Sequence, residues 1–195
     1  MQPIPLSDRS DSAARPRLDD SALLLRIQTG DAASLAELMR RYWTPLVRYA
    51  ARLLESRDAA EDMAQQAFFV VWSKRARYRA HGTAQAYLYR IVRNEALQEL
   101  RRRQTRQRAA GDVARGMVPE STPFELTTAR ELDDALQRAL AALSPRRREA
   151  FVLSRYHDLS LDEVAAVMSI SPQTAANHVS VALAELRSAL ADFLG

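Results

Sequence analysis

The sequence predicts an all-α protein built as two small helical domains joined by a flexible linker. Three observations carry this prediction. Apolar residues recur at helical spacing nearly throughout, and no segment shows the strict alternation of a half-buried strand. The pattern breaks over residues 109–124, where Gly111, Gly116, Pro119 and Pro123 gather. The last third carries two short helices whose start signals can be read residue by residue. The expected organisation is a disordered tail over 1–17, a first domain over 18–108, the linker over 109–124 and a second domain over 125–195.

The first domain divides into four helices. The tail, with three prolines and scattered charges, offers no apolar periodicity. Asp20 to Gln28 makes a short helix ended by Gly30. Asp31 caps a longer one with apolar positions at Leu35, Leu38, Met39, Tyr42, Trp43, Leu46, Val47 and Ala50. Pro45 lies inside it and predicts a kink, or a place where a carbonyl is already free. A third helix starts at Ser56 to Asp58 and runs to about Lys74, with Met63, Ala67, Phe68, Val71 and Trp72 at core spacing. Asp62, Gln65, Gln66 and Phe69 fall mostly on another face, and carboxylate, amides and a ring together suit a partner helix. If Val70 is exposed, it belongs to that interface. Residues 76–83 form a loop holding Gly82. A fourth helix runs from about Thr83 to Arg106, with Tyr87, Leu88, Ile91, Val92 and Leu97 turned inward.

The second domain also has four helices. Leu132, Leu136, Leu140 and Leu143 mark one stripe. Ser144-Pro145 starts the next helix, which runs to about Tyr156. Ser160-Leu161-Asp162-Glu163 is a capping box, with an apolar face at Leu161, Val164, Ala165 and Met168. After the break at Ser169-Ile170, Ser171 caps and Pro172 opens the last helix, with Ala175, Val179, Ala182, Leu183 and Leu186 inward. Two short helices so spaced form a helix-turn-helix, whose second helix enters the DNA major groove. A plain helical hairpin is the bland alternative for this segment.

Composition narrows the function. Hydrophobic residues make up 47%, enough to bury a core. Cysteine is absent, which excludes disulfides, thiol chemistry and cysteine–zinc sites and fits a reducing cytoplasm. His81, His157 and His178 have no ligand-like spacing, so no metal or other cofactor is expected. No apolar stretch approaches the ~20 residues of a membrane span, and the polar N-terminus has no signal core, so the expected location is cytoplasmic. There is no glycine-rich phosphate loop, no HExxH and no clustered catalytic histidine, so no enzyme is expected.

The charge is concentrated. Residues 1–73 carry 9 basic and 10 acidic side chains, residues 74–108 carry 11 and 2, and residues 109–195 carry 8 and 12. The central block is an electrostatic footprint for phosphates, although charge runs are commonly solvated helix faces. Tyr78, Tyr87 and Tyr89 are interleaved with the arginines, a mixture suited to unpaired bases as well as backbone.

Three motifs, in order, resemble one family. Ala60-Glu61-Asp62-Met63-Ala64-Gln65-Gln66-Ala67-Phe68-Phe69-Val70-Val71-Trp72 is similar to the polymerase-binding helix of the extracytoplasmic-function (group 4) sigma factors of the sigma-70 family. Tyr87-Leu88-Tyr89-Arg90-Ile91-Val92-Arg93-Asn94 resembles that family's Trp-Leu-Tyr-Arg-Ile-Ala-Arg-Asn. Leu143-Ser144-Pro145 through Phe151-Val152-Leu153 leads into the helix-turn-helix as it does there.

The resemblance implies a region 2 bundle, which binds core RNA polymerase and the −10 element, and a region 4 helix-turn-helix, which binds the −35 element. It implies that Asp62, Gln65, Gln66 and Phe69 meet the clamp helices of the largest polymerase subunit. Gln66 stands where the family usually has glutamate, so a salt bridge there would become a neutral hydrogen bond. Tyr78 and Asn94 match positions around the pocket for a flipped −10 base. Tyr87 adjoins them, while Arg90, Arg93 and Arg101 could hold phosphates.

For the −35 duplex the candidates are Gln173, Thr174, Asn177, His178 and Ser180, with Arg155 outside the recognition helix. Residues 172–186 contain no lysine or arginine, whereas the family usually carries basic residues where this chain has Ala176 and Val181. The domain could instead bind chiefly protein, such as the polymerase flap or an anti-sigma factor, which often holds family members. A reading from another class is a stand-alone helix-turn-helix regulator with an N-terminal dimerisation domain. A gel shift with DNA alone would separate the two.

Overall fold

The computed structural model describes residues 19–54, 56–79, 82–109 and 128–191. Among them all regular structure is helical: α1 (Asp20–Gln28), α2 (Ala32–Leu54), α3 (Arg57–Ser73), a 3-10 turn (Arg75–Arg77), α4 (Ala84–Ala109), α5 (Thr128–Ala142), α6 (Pro145–Tyr156), α7 (Leu161–Met168) and α8 (Pro172–Ala189). The tail expected over 1–17 lies outside the described residues, as do the linker residues beyond Ala109 and the side chain of Leu132.

Caps written in the sequence set the helix starts. The Asp19 carboxylate accepts from the Ala22 N–H at 2.6 Å. Asp31 accepts from the N–H groups of Ala33 and Ser34 at 2.9 and 3.3 Å. The Ser56 hydroxyl caps α3, and the Thr83 hydroxyl accepts from the Ala86 N–H at 3.2 Å at the start of α4. Each satisfies a donor that the first helical turn would leave unpaired. Gly30, at φ +94°, ends α1 in the left-handed region that favours glycine. Pro45 does not end α2, which continues to Leu54.

In the first domain α2 packs on α3, and α3 on α4. Ala60, Ala64 and Ala67 are fully buried on one face of α3, where small side chains allow close approach. Phe68 fills the rest and stacks on Trp43 with ring centroids 6.4 Å apart. Met63 and Trp72, placed in the core by spacing, are only partly buried. Val70 is also partly buried and packs against the core. Arg41 pairs with Asp20 and Glu37, tying α1 to α2.

In the second domain α6 packs on α7 and α8, and α5 on α8. The capping box forms as the sequence predicts: Ser160 accepts from the Glu163 N–H, and the Glu163 carboxylate accepts from the Ser160 N–H at 2.8 Å. Ser171 caps α8 and Pro172 opens it. Ser169, at φ +57°, makes the turn between them.

The two domains do not hang apart. α4 packs against α7, and a continuous buried cluster runs from Leu88, Tyr89 and Val92 into Leu153, Leu159 and Val164.

Candidate nucleic-acid interface

The basic segment begins where α3 ends. Lys74 closes α3, and the 3-10 turn delivers Tyr78, whose carbonyl accepts from the Gln28 side chain at 3.3 Å. The Tyr78 and Tyr87 rings lie 5.2 Å apart at 54°. Both are half-buried. Burial pushes both phenols above their ordinary pKa, so they remain neutral donors. The Arg90 guanidinium lies 5.9 Å from the Tyr87 ring centroid. Asn94 is exposed on α4 two turns beyond Tyr87, and Arg101 two turns beyond Asn94. Tyr87, Arg90, Asn94 and Arg101 therefore share one helical stripe.

Two expectations in this segment need correction. Tyr89, counted among the base-stacking aromatics, is 1% exposed. Its hydroxyl shares a 2.8 Å hydrogen bond with Nδ1 of His157 in the second domain. Arg93, expected to hold phosphate, is 5% exposed. Its Nε donates to Oε1 of Glu149 at 2.6 Å, and a terminal nitrogen donates to Oε2 at 3.3 Å. Glu149 thus takes two of the five N–H donors of Arg93, and burial leaves little of the guanidinium accessible to DNA in this arrangement.

Sequence reasoning missed the joint around these two residues. The Tyr49 hydroxyl also donates to Glu149 at 2.9 Å. Gln85 donates to the His157 carbonyl at 2.7 Å. The Thr83 hydroxyl reaches the Glu163 carboxylate, and Arg52 lies 4.3 Å from the Tyr156 ring centroid. Burial holds the His157 imidazole down to about 4; Arg52 and Arg48 push the same way and Asp158 opposes them. The buried ring is thus neutral at pH 7. Between about pH 6.5 and 4 the unfolded chain binds a proton there that the native state refuses. Stability is full above that window and falls as pH drops through it, by about 2 kcal/mol at pH 5. Urea unfolding at pH 7 and 5 checks this, and His157→Phe should remove that part of the pH dependence.

Asp62, Gln65 and Phe69 are exposed, Phe69 at 62%, while Gln66 is half-buried. Asp62, Gln65 and Gln66 line a groove of about 470 Å³ with Glu95 and Arg102. On α8, Gln173, Thr174, Asn177 and Ser180 are exposed and His178 is half-buried. The Thr174 hydroxyl is engaged with Ser171 at 2.8 Å. Arg155 is exposed. Of the other arginines near α8, Arg147 pairs with Glu185, and Arg148 donates to the carbonyls of Ala141 and Leu143 at the end of α5.

Known proteins align with both halves of this arrangement. The family description "Sigma-70 region 2" matches residues 38–106, and "Sigma-70, region 4" matches 133–186. The chain is 32% identical over 168 residues to the ECF RNA polymerase sigma factor SigE of Mycolicibacterium smegmatis, covering 84% of this chain and 65% of that protein. It is 30% identical over 162 residues to the RNA polymerase sigma-E factor of Streptomyces coelicolor, covering 83% and 88%. The fold is similar to that of the sigma factor RpoE solved with the anti-sigma factor NepR from Bartonella quintana. There the TM-score is 0.61 at 24% identity, over 80% of this chain and 95% of that one.

Proposed function

The chain belongs to the extracytoplasmic-function (group 4) sigma factors of the sigma-70 family, and from that premise we propose how its surfaces divide the work of initiation. Sigma factors direct RNA polymerase to promoters and have no catalytic residues of their own. In this chain α3 binds core polymerase through Asp62, Gln65, Gln66 and Phe69, against the clamp helices of the largest subunit. The 3-10 turn and α4 capture the −10 strand, and α8 reads the −35 duplex.

The observation that carries this reading is the Tyr78–Tyr87 ring pair beside Arg90, with Asn94 exposed on the same stripe. A factor without ATP chemistry must open DNA with binding energy, by giving unstacked bases contacts that the duplex cannot reach. Rings stack on such bases, and an amide can read an edge. The test is transcription in vitro with core polymerase and genomic DNA, followed by mapping of start sites. Starts that share −10 and −35 sequences support the reading, and no polymerase-dependent initiation would sink it.

An anti-sigma protein is proposed as a further partner, by likeness to the Bartonella quintana complex. No helix among the described residues is long and apolar enough to cross a membrane.

The −35 contact should depend little on salt. α8 offers neutral side chains and its N-terminal partial charge. With Arg147 and Arg148 held internally, few cations remain for phosphate. The slope of log K against log salt for residues 125–195 on a −35 duplex should be no steeper than about −3, some three phosphates. A steeper slope, or binding indifferent to sequence, would contradict it.

A further inference from the structure

The groove beside the α3 face has a second wall, and that wall carries charge of its own. Asp62, Met63, Gln65 and Gln66 line it from α3, and Glu95 and Arg102 line it from α4. Glu95 is half-buried, while Asp62 and Arg102 are exposed. The neighbouring charges of α4 are satisfied within the chain, Arg93 by Glu149 and Glu99 by Arg103. Asp62, Glu95 and Arg102 form no ion pair among the described residues. A carboxylate drawn partly out of water with no cation beside it gains when a partner brings one.

Glu95 and Arg102 are seven residues apart and share one stripe of α4, about 10 Å apart along its axis. Glu95 follows Asn94 and Arg102 follows Arg101, so this stripe is turned about 100° from the one holding Tyr87, Arg90, Asn94 and Arg101. One side of α4 is thus free for the −10 strand while another completes the groove with α3. Two carboxylates, Asp62 and Glu95, disfavour a phosphate backbone as its occupant. Mixed charge with two amides and a partly buried methionine suits a protein helix.

We propose that core polymerase docks in this groove rather than on α3 alone, with Glu95 meeting a basic side chain of polymerase and Arg102 an acidic one about two turns away. The proposal rests on the reading of α3 as the polymerase-binding face and extends that face onto α4. Opposite charges on one stripe fix direction as well as place, because a polymerase helix laid the other way would set like charges together. Glu95 also replaces a charge. Gln66 is neutral where the family usually has glutamate, and Glu95 brings a second carboxylate to the same groove from its other wall.

The test is titration of the labelled full chain with core polymerase in the absence of DNA, which keeps the −10 stripe out of the measurement. Glu95→Lys and Arg102→Glu should each weaken binding roughly tenfold or more, with helical circular dichroism and thermal unfolding retained. Glu95→Gln, which keeps the side chain's shape, should lose several-fold. Gln66→Glu added to Glu95→Gln should restore affinity, since it returns the carboxylate from α3. A merely structural role for Glu95 would not be repaired from another helix. Wild-type affinity in Glu95→Lys or in Arg102→Glu would overturn the proposal, as would failure of Gln66→Glu to repair Glu95→Gln. So would full recovery in the double variant Glu95→Lys with Arg102→Glu, since the two residues would then matter only to each other. A dimer in light scattering that Glu95→Lys breaks would give the groove to a second copy of the chain and overturn it too. Loss of affinity in Asp62→Arg alone would confine docking to α3 and leave that reading standing. Retained affinity in Asp62→Arg, Glu95→Lys and Arg102→Glu together would strike the α3 reading itself.

Discussion

Reversing the charge at Asp62 is expected to weaken core polymerase binding by roughly 30-fold or more. Asp62 is exposed on α3, and its neighbours Gln65 and Phe69 point the same way at intervals of three and four residues. The opposite face of α3, with Ala60, Ala64, Ala67, Phe68 and Val71, supplies the core packing. The two roles are thus separable. Asp62→Arg leaves the packed face untouched and should alter unfolding by no more than about 0.5 kcal/mol. At the proposed interface it places a cation where a carboxylate would face the polymerase. Gln66 sharpens the expectation. With a neutral side chain where the family usually has glutamate, Asp62 is expected to carry a larger share of any charge complementarity at the proposed interface. Polarisation titration of labelled protein with core polymerase measures the loss. Unchanged affinity in both Asp62→Arg and Gln65→Lys would remove this face from the interface.

What was legible in the sequence follows the range of the forces involved. Caps act over three residues, so Asp31, Ser56, Ser160 with Glu163, and Ser171 with Pro172 announced their helices, and the structure starts those helices where they predict. Amphipathic stripes act over one or two turns and placed Leu38, Leu46, Phe68, Val92 and Val179 in the core. The joint was illegible because its partners are 56 and 68 residues apart and lie in different domains. An arginine in a basic run is expected to be solvated or bound to phosphate. Only a buried carboxylate arriving from elsewhere changes that, and Glu149 sits among Arg146, Arg147 and Arg148 with nothing local to mark it. Sequence spacing marked no role for His157, and it could not show that Tyr89 needs it as a hydrogen-bond partner. The exposure of Val70, on which its interface role was conditional, is likewise set by packing: it is partly buried against the core.

Removing the Tyr78 ring should impair promoter opening without impairing recruitment. Tyr78 and Tyr87 are held 5.2 Å apart by different elements, the 3-10 turn and α4, so the pair is positioned before DNA arrives. Both residues are only half-buried, and neither belongs to the α3 face proposed to bind polymerase. Stacking of an unpaired base on such a ring contributes ~1–3 kcal/mol, so Tyr78→Ala should lower open-complex stability roughly 5- to 150-fold. Tyr78→Phe keeps the ring and should retain most of the opening. Asn94→Ala acts differently. Asn94 is exposed, and alanine is the better helix former, so the fold should be no less stable. Loss of its amide removes a reader of base edges and should relax preference within the −10 element while leaving the bubble's extent on favoured promoters nearly unchanged. Permanganate footprinting of unpaired thymines, on complexes formed at saturating polymerase, separates opening from recruitment. Equal opening by wild type and Tyr78→Ala, with promoter preference unchanged in Asn94→Ala, would mean that the −10 strand is captured elsewhere on the chain.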